Sequence, residues 1–203
     1  VSSWQSPVPT GASCDHRIIM GTLDGRLVAV DAEDGKPCAD FGDKGQVSLR
    51  EGLGEFAEQE YSVTSPPAIL GDRIITGAMV LDRTHNHMPS GVVRAYNVRT
   101  GALEWFWDPI PPGQKPEFDA EGKPVFRRGT TNVWSVISVD PERKLVFLPT
   151  GNTSTDFFGG LRDNMDYYSS SVVALKGDTG ELAWHFQMVH HDIWDYDTPM
   201  APN

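Results

Sequence analysis

Three observations predict an all-β fold, a partial β-propeller of about three four-stranded antiparallel blades. Short apolar runs alternate with Gly-containing turns, one Ala, Gly and Trp motif recurs in register, and loops of variable length separate its copies. The repeats lie near residues 14–41, 63–108 and 134–188, so the 203 residues are read as one arc of a larger ring. A β-sandwich explains the strands but not a motif whose Ala, Gly and Trp keep their spacing.

In the first repeat, Arg17-Ile18-Ile19-Met20 and Arg26-Leu27-Val28-Ala29-Val30-Asp31 flank Thr22-Leu23-Asp24-Gly25, and Asp-Gly between apolar runs signals a hairpin. A second turn at Glu33-Asp34-Gly35 leads to a third predicted strand at Cys38-Ala39-Asp40-Phe41. The second repeat has Arg73-Ile74-Ile75-Thr76-Gly77, Val92 to Asn97, a turn at Arg99-Thr100-Gly101, and Leu103-Glu104-Trp105-Phe106-Trp107. The third has Lys144 to Leu148, Ser171 to Leu175, a turn at Asp178-Thr179-Gly180, and Leu182-Ala183-Trp184. Ala95, Gly101 and Trp105 are spaced as Ala174, Gly180 and Trp184 are; Ala29 and Gly35 match the first half, and Ala39 stands where Trp is expected. These tryptophans are predicted to be structural docks, each ring packing on the neighbouring blade's turn. A polar, Pro-containing insertion from Gly113 to Gly129 reads as an exposed hairpin or loop.

Composition narrows the function. A net charge of −11 argues against a nucleic-acid partner, which needs a basic face. No apolar run is long enough to span a bilayer, and the first residues lack a signal-peptide pattern. The two cysteines, Cys14 and Cys38, fit a disulfide or a pair of structural thiols equally well.

The chemistry concentrates in Val189-His190-His191-Asp192-Ile193-Trp194-Asp195-Tyr196-Asp197, just past an apolar strand. Three carboxylates and two imidazoles in nine residues are costly to place together unless something polar meets them. Asp192 reads as a turn-forming carboxylate, because short acidic side chains accept hydrogen bonds from nearby backbone. Asp156-Phe157-Phe158-Gly159-Gly160 reads as aromatic lining for an active-site funnel. His85 and His87 read as solvated rather than metal-bound.

The docking repeat Ala-x-Asp-x-x-Thr-Gly-x-x-x-Trp resembles that of the eight-bladed quinoprotein alcohol dehydrogenases, which use pyrroloquinoline quinone (PQQ). Thr64-Ser65-Pro66-Pro67, Ser90-Gly91-Val92-Val93-Arg94-Ala95, Leu148-Pro149-Thr150-Gly151-Asn152 and His190-His191-Asp192-Ile193-Trp194-Asp195 look most like the membrane-bound glucose and quinate/shikimate dehydrogenase branch. The resemblance runs from about Cys14 onward. It implies Asp195 as catalytic base and metal ligand, Asn152 and Asp82 as further ligands of Ca²⁺ or Mg²⁺, Trp134 beneath the quinone, and Thr64 hydrogen-bonded to it. It further implies a sugar or cyclic polyol substrate such as glucose, quinate or shikimate. Ubiquinone would be the electron acceptor, and the location a periplasmic domain anchored in the inner membrane by segments outside these residues. His190 and His191 become supporting residues. An oxygen-only ligand set suits a hard cation, which would act as a Lewis acid on a quinone carbonyl. Arg83 departs from the pattern, in which Asn follows the ligand Asp; a cation there repels a metal unless it points away or pairs with an acid. Residues from the other blades are missing, so the arc alone is expected to be inactive, and its uncovered blade faces are expected to make it pair with itself or be held by a partner. The competing class is a non-catalytic propeller scaffold, which has no reason to keep Asp82, Trp134, Asn152 and Asp195.

Overall fold

The computed structural model describes residues 1–81 and 83–202. The first sheet joins β1 (Ser2–Gln5), β2 (His16–Gly21), β3 (Arg26–Asp31) and β4 (Gln46–Ser48) in sequential antiparallel order. Next come β5 (Tyr61–Ser62), β6 (Ala68–Leu70), β7 (Arg73–Thr76), β8 (Met79–Val80), β9 (Val93–Asn97) and β10 (Leu103–Trp107). Of these, β6, β7, β9 and β10 form the second sheet, and β5 pairs with β8. The insertion carries a small hairpin, β11 (Glu117–Phe118) with β12 (Pro124–Val125). The third sheet is β13 (Ser138–Asp140), β14 (Leu145–Pro149), β15 (Ser171–Lys176) and β16 (Leu182–Gln187). Every ladder is antiparallel between sequence neighbours or near neighbours, as in consecutive blades of an open, partial propeller.

The middle sheet explains why its strands are apolar throughout rather than alternating. Successive side chains point to opposite faces. Ile74 and Tyr96 pack with Leu27, Phe41 and Leu49 of the first sheet, whereas Ile75, Val93 and Ala95 pack with Val146, Leu148 and Val173 of the third. Both faces are therefore buried, which a two-layer sandwich does not require.

Trp105 does what its register predicts. Its ring lies against the turn of the third sheet, where its Nε1 donates to the Gly177 carbonyl at 2.9 Å. A Cβ added to Gly180 would lie 2.6 Å from the ring, and Gly180 has φ of +73°, so Gly is required there by both space and backbone. The equivalent position in the first sheet has no indole. Val47 and the backbone of Gly42 instead face Gly101, where an added Cβ would lie 2.7 Å from Val47 Cγ2. Gly42 N donates to Thr100 O at 2.9 Å. Buried Arg17 adds to this interface, donating to Arg99 O at 2.9 Å and pairing with Asp40 at 2.6 Å.

The strand expected at Cys38–Phe41 does not form. Pro37 lacks the N–H a ladder needs, and the chain turns through Gly42 and Gly45, both at positive φ, before β4 forms at Gln46–Ser48. Cys14 and Cys38 are joined in a disulfide across this bulge, with Cα atoms 5.8 Å apart. The first sheet also gains β1, which sequence reading did not anticipate. The insertion forms an exposed hairpin, as expected, anchored by buried Phe126 against Phe106, ring centroids 5.1 Å apart. Trp184 is the exception among the docks: its ring touches Phe147 and stays 46% exposed, because no further sheet follows it within these residues.

Burying an indole removes on the order of 200 Å² from water, worth about 5 kcal/mol. In the 203-residue chain, Trp105→Ala should lower the unfolding free energy by about 3–5 kcal/mol, while half-exposed Trp184→Ala should cost about 1 kcal/mol or less. Equal effects in urea unfolding would refute the docking argument. Reducing the disulfide, or Cys14→Ser, should cost roughly 3 kcal/mol and lower Tm under the same conditions.

Candidate functional site

The site is built where loops leave the second and third sheets. Glycines on the second sheet let the approach to Trp134 lie flat on it: an added Cβ would come 2.3 Å from Val133 O at Gly77 and 1.8 Å from Thr131 O at Gly91. This close packing places Trp134 at the edge of the stack with its ring partly exposed. Its backbone carbonyl accepts from Thr64 Oγ1 at 2.9 Å and Ser65 Oγ at 2.6 Å. Thr64 therefore lies beside Trp134, its hydroxyl proton committed to the chain and its lone pairs remaining as acceptors.

Asn152 sits one strand end away and is 3% exposed. Its Oδ1 accepts from Thr153 N at 2.8 Å, and its Nδ2 donates to Asp156 O and Asp192 O, both at 3.3 Å. The link to Asp192 draws the 190s loop onto the Asn152 loop. Asp192 is fully buried and acts as the predicted turn former. Its Oδ1 accepts from Trp194 N at 2.9 Å, and its Oδ2 accepts from Tyr196 N and Ser170 Oγ at the same distance. Between those two anchored amides the chain passes through Asp195 at φ +61°, a conformation Asp tolerates better than most residues. The turn thus presents Asp195 between exposed Trp194 and Tyr196.

Arg83 neither points away nor stands alone; its NH2 lies 3.6 Å from Asp195 Oδ2. That pairing is the acid partner the sequence required of it. Asp82, its neighbour and the predicted ligand, lies outside the described residues. His191 Nδ1 lies 2.7 Å from Asp166 Oδ2, and the same carboxylate is 3.6 Å from buried Arg162. Arg162 in turn donates to the carbonyls of Thr155 and Asp156 at 2.9 and 2.8 Å. His191 therefore ties the 155–166 loop to the 190s loop, and that loop exposes Phe157 and Phe158. His85 pairs with Glu60 at 3.1 Å.

Sequence reasoning missed Asp197. Its Oδ1 accepts from Asn152 N at 2.5 Å and its Oδ2 from Trp134 Nε1 at 3.1 Å. An added Cβ at Gly151 would lie 2.8 Å from that Oδ1 and 3.2 Å from the Trp134 ring, so the cradle exists because Gly151 has no side chain. Its signal was the last Asp of Trp194-Asp195-Tyr196-Asp197, but a partner so far away in sequence has no local signature.

The donors here are carboxylate and amide oxygens, the set a hard divalent cation takes, and the partly open indole of Trp134 offers the flat face a planar quinone requires. The residues fit both groups. Elsewhere among the described residues, the one His, Cys and acid cluster of ligand size is Cys14, Cys38 and Asp40, whose thiols are spent in the disulfide.

A stack of four-stranded antiparallel sheets, a tryptophan docked on the neighbouring sheet's turn and an oxygen-rich loop cluster at one end are the features of an open, partial β-propeller. The chain belongs to the PQQ glucose/ethanol/alcohol dehydrogenase β-propeller domain family, which it matches over residues 1–203. It is 43% identical to the quinate/shikimate dehydrogenase (quinone) of Acinetobacter baylyi over 94% of this chain and 24% of that protein. It is 39% identical to the quinoprotein glucose dehydrogenase of Escherichia coli, over 94% of this chain and 24% of that one. The quinohemoprotein alcohol dehydrogenase of Comamonas testosteroni superposes with a TM-score of 0.70 at 25% identity, covering 91% of this chain and 28% of that chain. The chain thus spans about a quarter of the length of the curated relatives it matches.

A cavity of about 400 Å³ beside the insertion, separate from this cluster, is lined by Asp108, Arg127 and Arg162 among others. Asp108 accepts from Ser90 Oγ and Arg127 N, each at 2.8 Å, yet burial pushes its carboxyl up to about 6. A carboxyl raised on folding contributes stability that is complete below about 4 and is lost as pH rises through about 6. Asp108→Asn keeps the neutral form at every pH. Relative to wild type, its unfolding free energy should therefore rise by roughly 2–3 kcal/mol between pH 4 and pH 7. A difference that stays flat across that range would show that Asp108 is ionised throughout.

Proposed function

We propose that these residues form part of a PQQ-dependent dehydrogenase oxidising a hydroxyl of a sugar or cyclic polyol, of the glucose, quinate or shikimate kind. The observation that carries the reading is the convergence of Trp134, Asn152 and Asp195 through Asp192 and Asp197 onto one loop cluster. PQQ, when bound, supplies the acceptor for the hydride of the substrate carbon. Trp134 offers its ring face to the cofactor, and Thr64 offers an acceptor at its rim. Asn152, Asp195 and Asp82 would hold Ca²⁺ or Mg²⁺, which would polarise a quinone carbonyl. Asp195 takes the substrate hydroxyl proton at a carboxylate oxygen. Arg83 lies beside that carboxylate, and the exposed Phe157, Phe158, Trp194 and Tyr196 line the approach and limit water.

The name of the Acinetobacter baylyi relative includes a quinone, which supports a membrane quinone such as ubiquinone as the final acceptor. The disulfide favours an oxidising compartment, in keeping with the periplasm. Among the described residues no helix is long and apolar enough to cross a membrane, so an inner-membrane anchor would come from other segments. The uncovered face of β16, with Leu182, Trp184 and Phe186 exposed, gives the 203-residue chain by itself a reason to self-associate and to bind PQQ weakly.

The test uses the full-length gene product that carries these residues, supplied with PQQ and Ca²⁺ or Mg²⁺. Dye reduction with glucose, quinate or shikimate is expected, and its absence with every sugar and alicyclic alcohol would overturn the reading. Asp195→Asn should lower turnover by a factor on the order of 10² to 10⁴ while largely sparing cofactor binding. Trp134→Ala should instead weaken PQQ retention, measured by equilibrium dialysis; unchanged retention would remove Trp134 from the cofactor site.

A further inference from the structure

We propose that Asp197 is a positioning residue that holds the Trp134 ring and the Asn152 loop in one fixed arrangement, so that cofactor platform and ligand amide are aligned before the cofactor arrives. The inference rests on the function proposed above for Trp134 and Asn152. It starts from what one carboxylate can do and an amide cannot: accept two hydrogen bonds from donors on opposite sides. Asp197 uses one oxygen for Asn152 N at 2.5 Å and the other for Trp134 Nε1 at 3.1 Å. These donors belong to segments before β13 and after β14, which also meet directly where Thr131 Oγ1 donates to Gly151 O at 2.6 Å and Gly151 N to Asn132 O at 2.9 Å; Asp197 adds the bridge that reaches the Trp134 ring itself.

The surroundings fix the bridge itself. Thr198 Oγ1 donates to Thr150 O at 2.5 Å and to Ser171 O at 3.1 Å, and Ser135 Oγ donates to Pro199 O. Residues 197–199 are thus strapped across both segments. Gly151 leaves the room the carboxylate occupies. Asp197 itself sits at φ +46°, where Asp and Asn are the side chains least penalised after Gly. An indole bonded at its N–H is biased toward one rotamer, and a platform held in advance spares the binding step that ordering cost.

Asp197→Asn is the discriminating variant, because it keeps the shape and suits the backbone. Its amide satisfies one of the two N–H donors and turns an NH2 toward the other. In the full-length gene product, this variant should raise the Kd for PQQ, read by quenching of intrinsic fluorescence, about tenfold, the scale of one charge-assisted hydrogen bond. Its Tm without cofactor should stay within a few degrees of wild type. Trp134→Phe keeps an aromatic face but has no N–H to anchor, so in that background Asp197→Asn should change Kd less than about twofold, its single amide oxygen turning to Asn152. A full tenfold loss in the Trp134→Phe background, or none in the wild-type background, would overturn the proposal while leaving PQQ binding, and the function, standing. Failure of the wild-type protein to bind PQQ would overturn both. Should Asp197→Asn fail to fold, Asp197→Ser serves, since it also removes the double acceptor; a Kd unchanged from wild type there would count against the proposal.

Discussion

The contact between Trp105 and the Gly177 to Gly180 turn sets the geometry on which the other parts of the fold rely. It combines a buried indole, a directed N–H to carbonyl bond and a glycine whose missing Cβ admits the ring. One such contact fixes where along its neighbour a sheet sits, which apolar packing by itself does not, since hydrophobic burial is non-directional. With the second and third sheets locked in register, the loops that leave them meet at one end. Thr64, Trp134, Asn152 and the 190s loop come from four distant stretches of sequence, and they converge because the sheets beneath them cannot slide.

A second layer of constraint is polar. The 190s loop has little apolar side-chain burial of its own and is held by carboxylates that accept backbone and side-chain hydrogen bonds. Asp192 shapes the turn around Asp195, and Asp197 joins that turn to the strand ends below it. Asp31 does the same in the first sheet, where the amides of Cys14 and Glu33 and the Ser13 hydroxyl hold its carboxyl down to about 2. Short acidic side chains are suited to this work because they reach nearby amides with little conformational entropy to lose. The acidic balance of the chain, read first as evidence against a nucleic-acid partner, is partly explained by these internal uses.

The site also shows how a departure from a motif is resolved in space. Arg83 stands where the family pattern has Asn, and in sequence it reads as a threat to a nearby cation. In the fold it faces Asp195, so its charge is set against a carboxylate rather than left to oppose a metal. The same logic applies to His191, whose ring belongs to a bridge through Asp166 to Arg162 rather than to a ligand set.

The repeats, the two hairpin turns flanking Trp105 and the polar cluster after Gln187 were all legible in the sequence, because strand periodicity, Gly turns and motif spacing are local properties. What was misread was equally local in appearance. Cys38 to Phe41 has the composition of a strand, yet Pro37 and a pair of positive-φ glycines move the ladder on to Gln46. The missing indole of the first repeat is replaced at the interface by Val47 and Gly42, which no repeat alignment suggests. Asp197 showed only as the last carboxylate of the polar cluster, since its partners, an indole N–H and a backbone amide, lie far from it along the chain. Residue order was therefore enough to predict the repeated sheets and to mark where the polar side chains gather, through local patterns that hold whatever lies next to them. Which of those side chains act on one another was settled in three dimensions, because hydrogen bonds and close packing depend on distances of a few ångströms between segments that sequence order leaves unrelated.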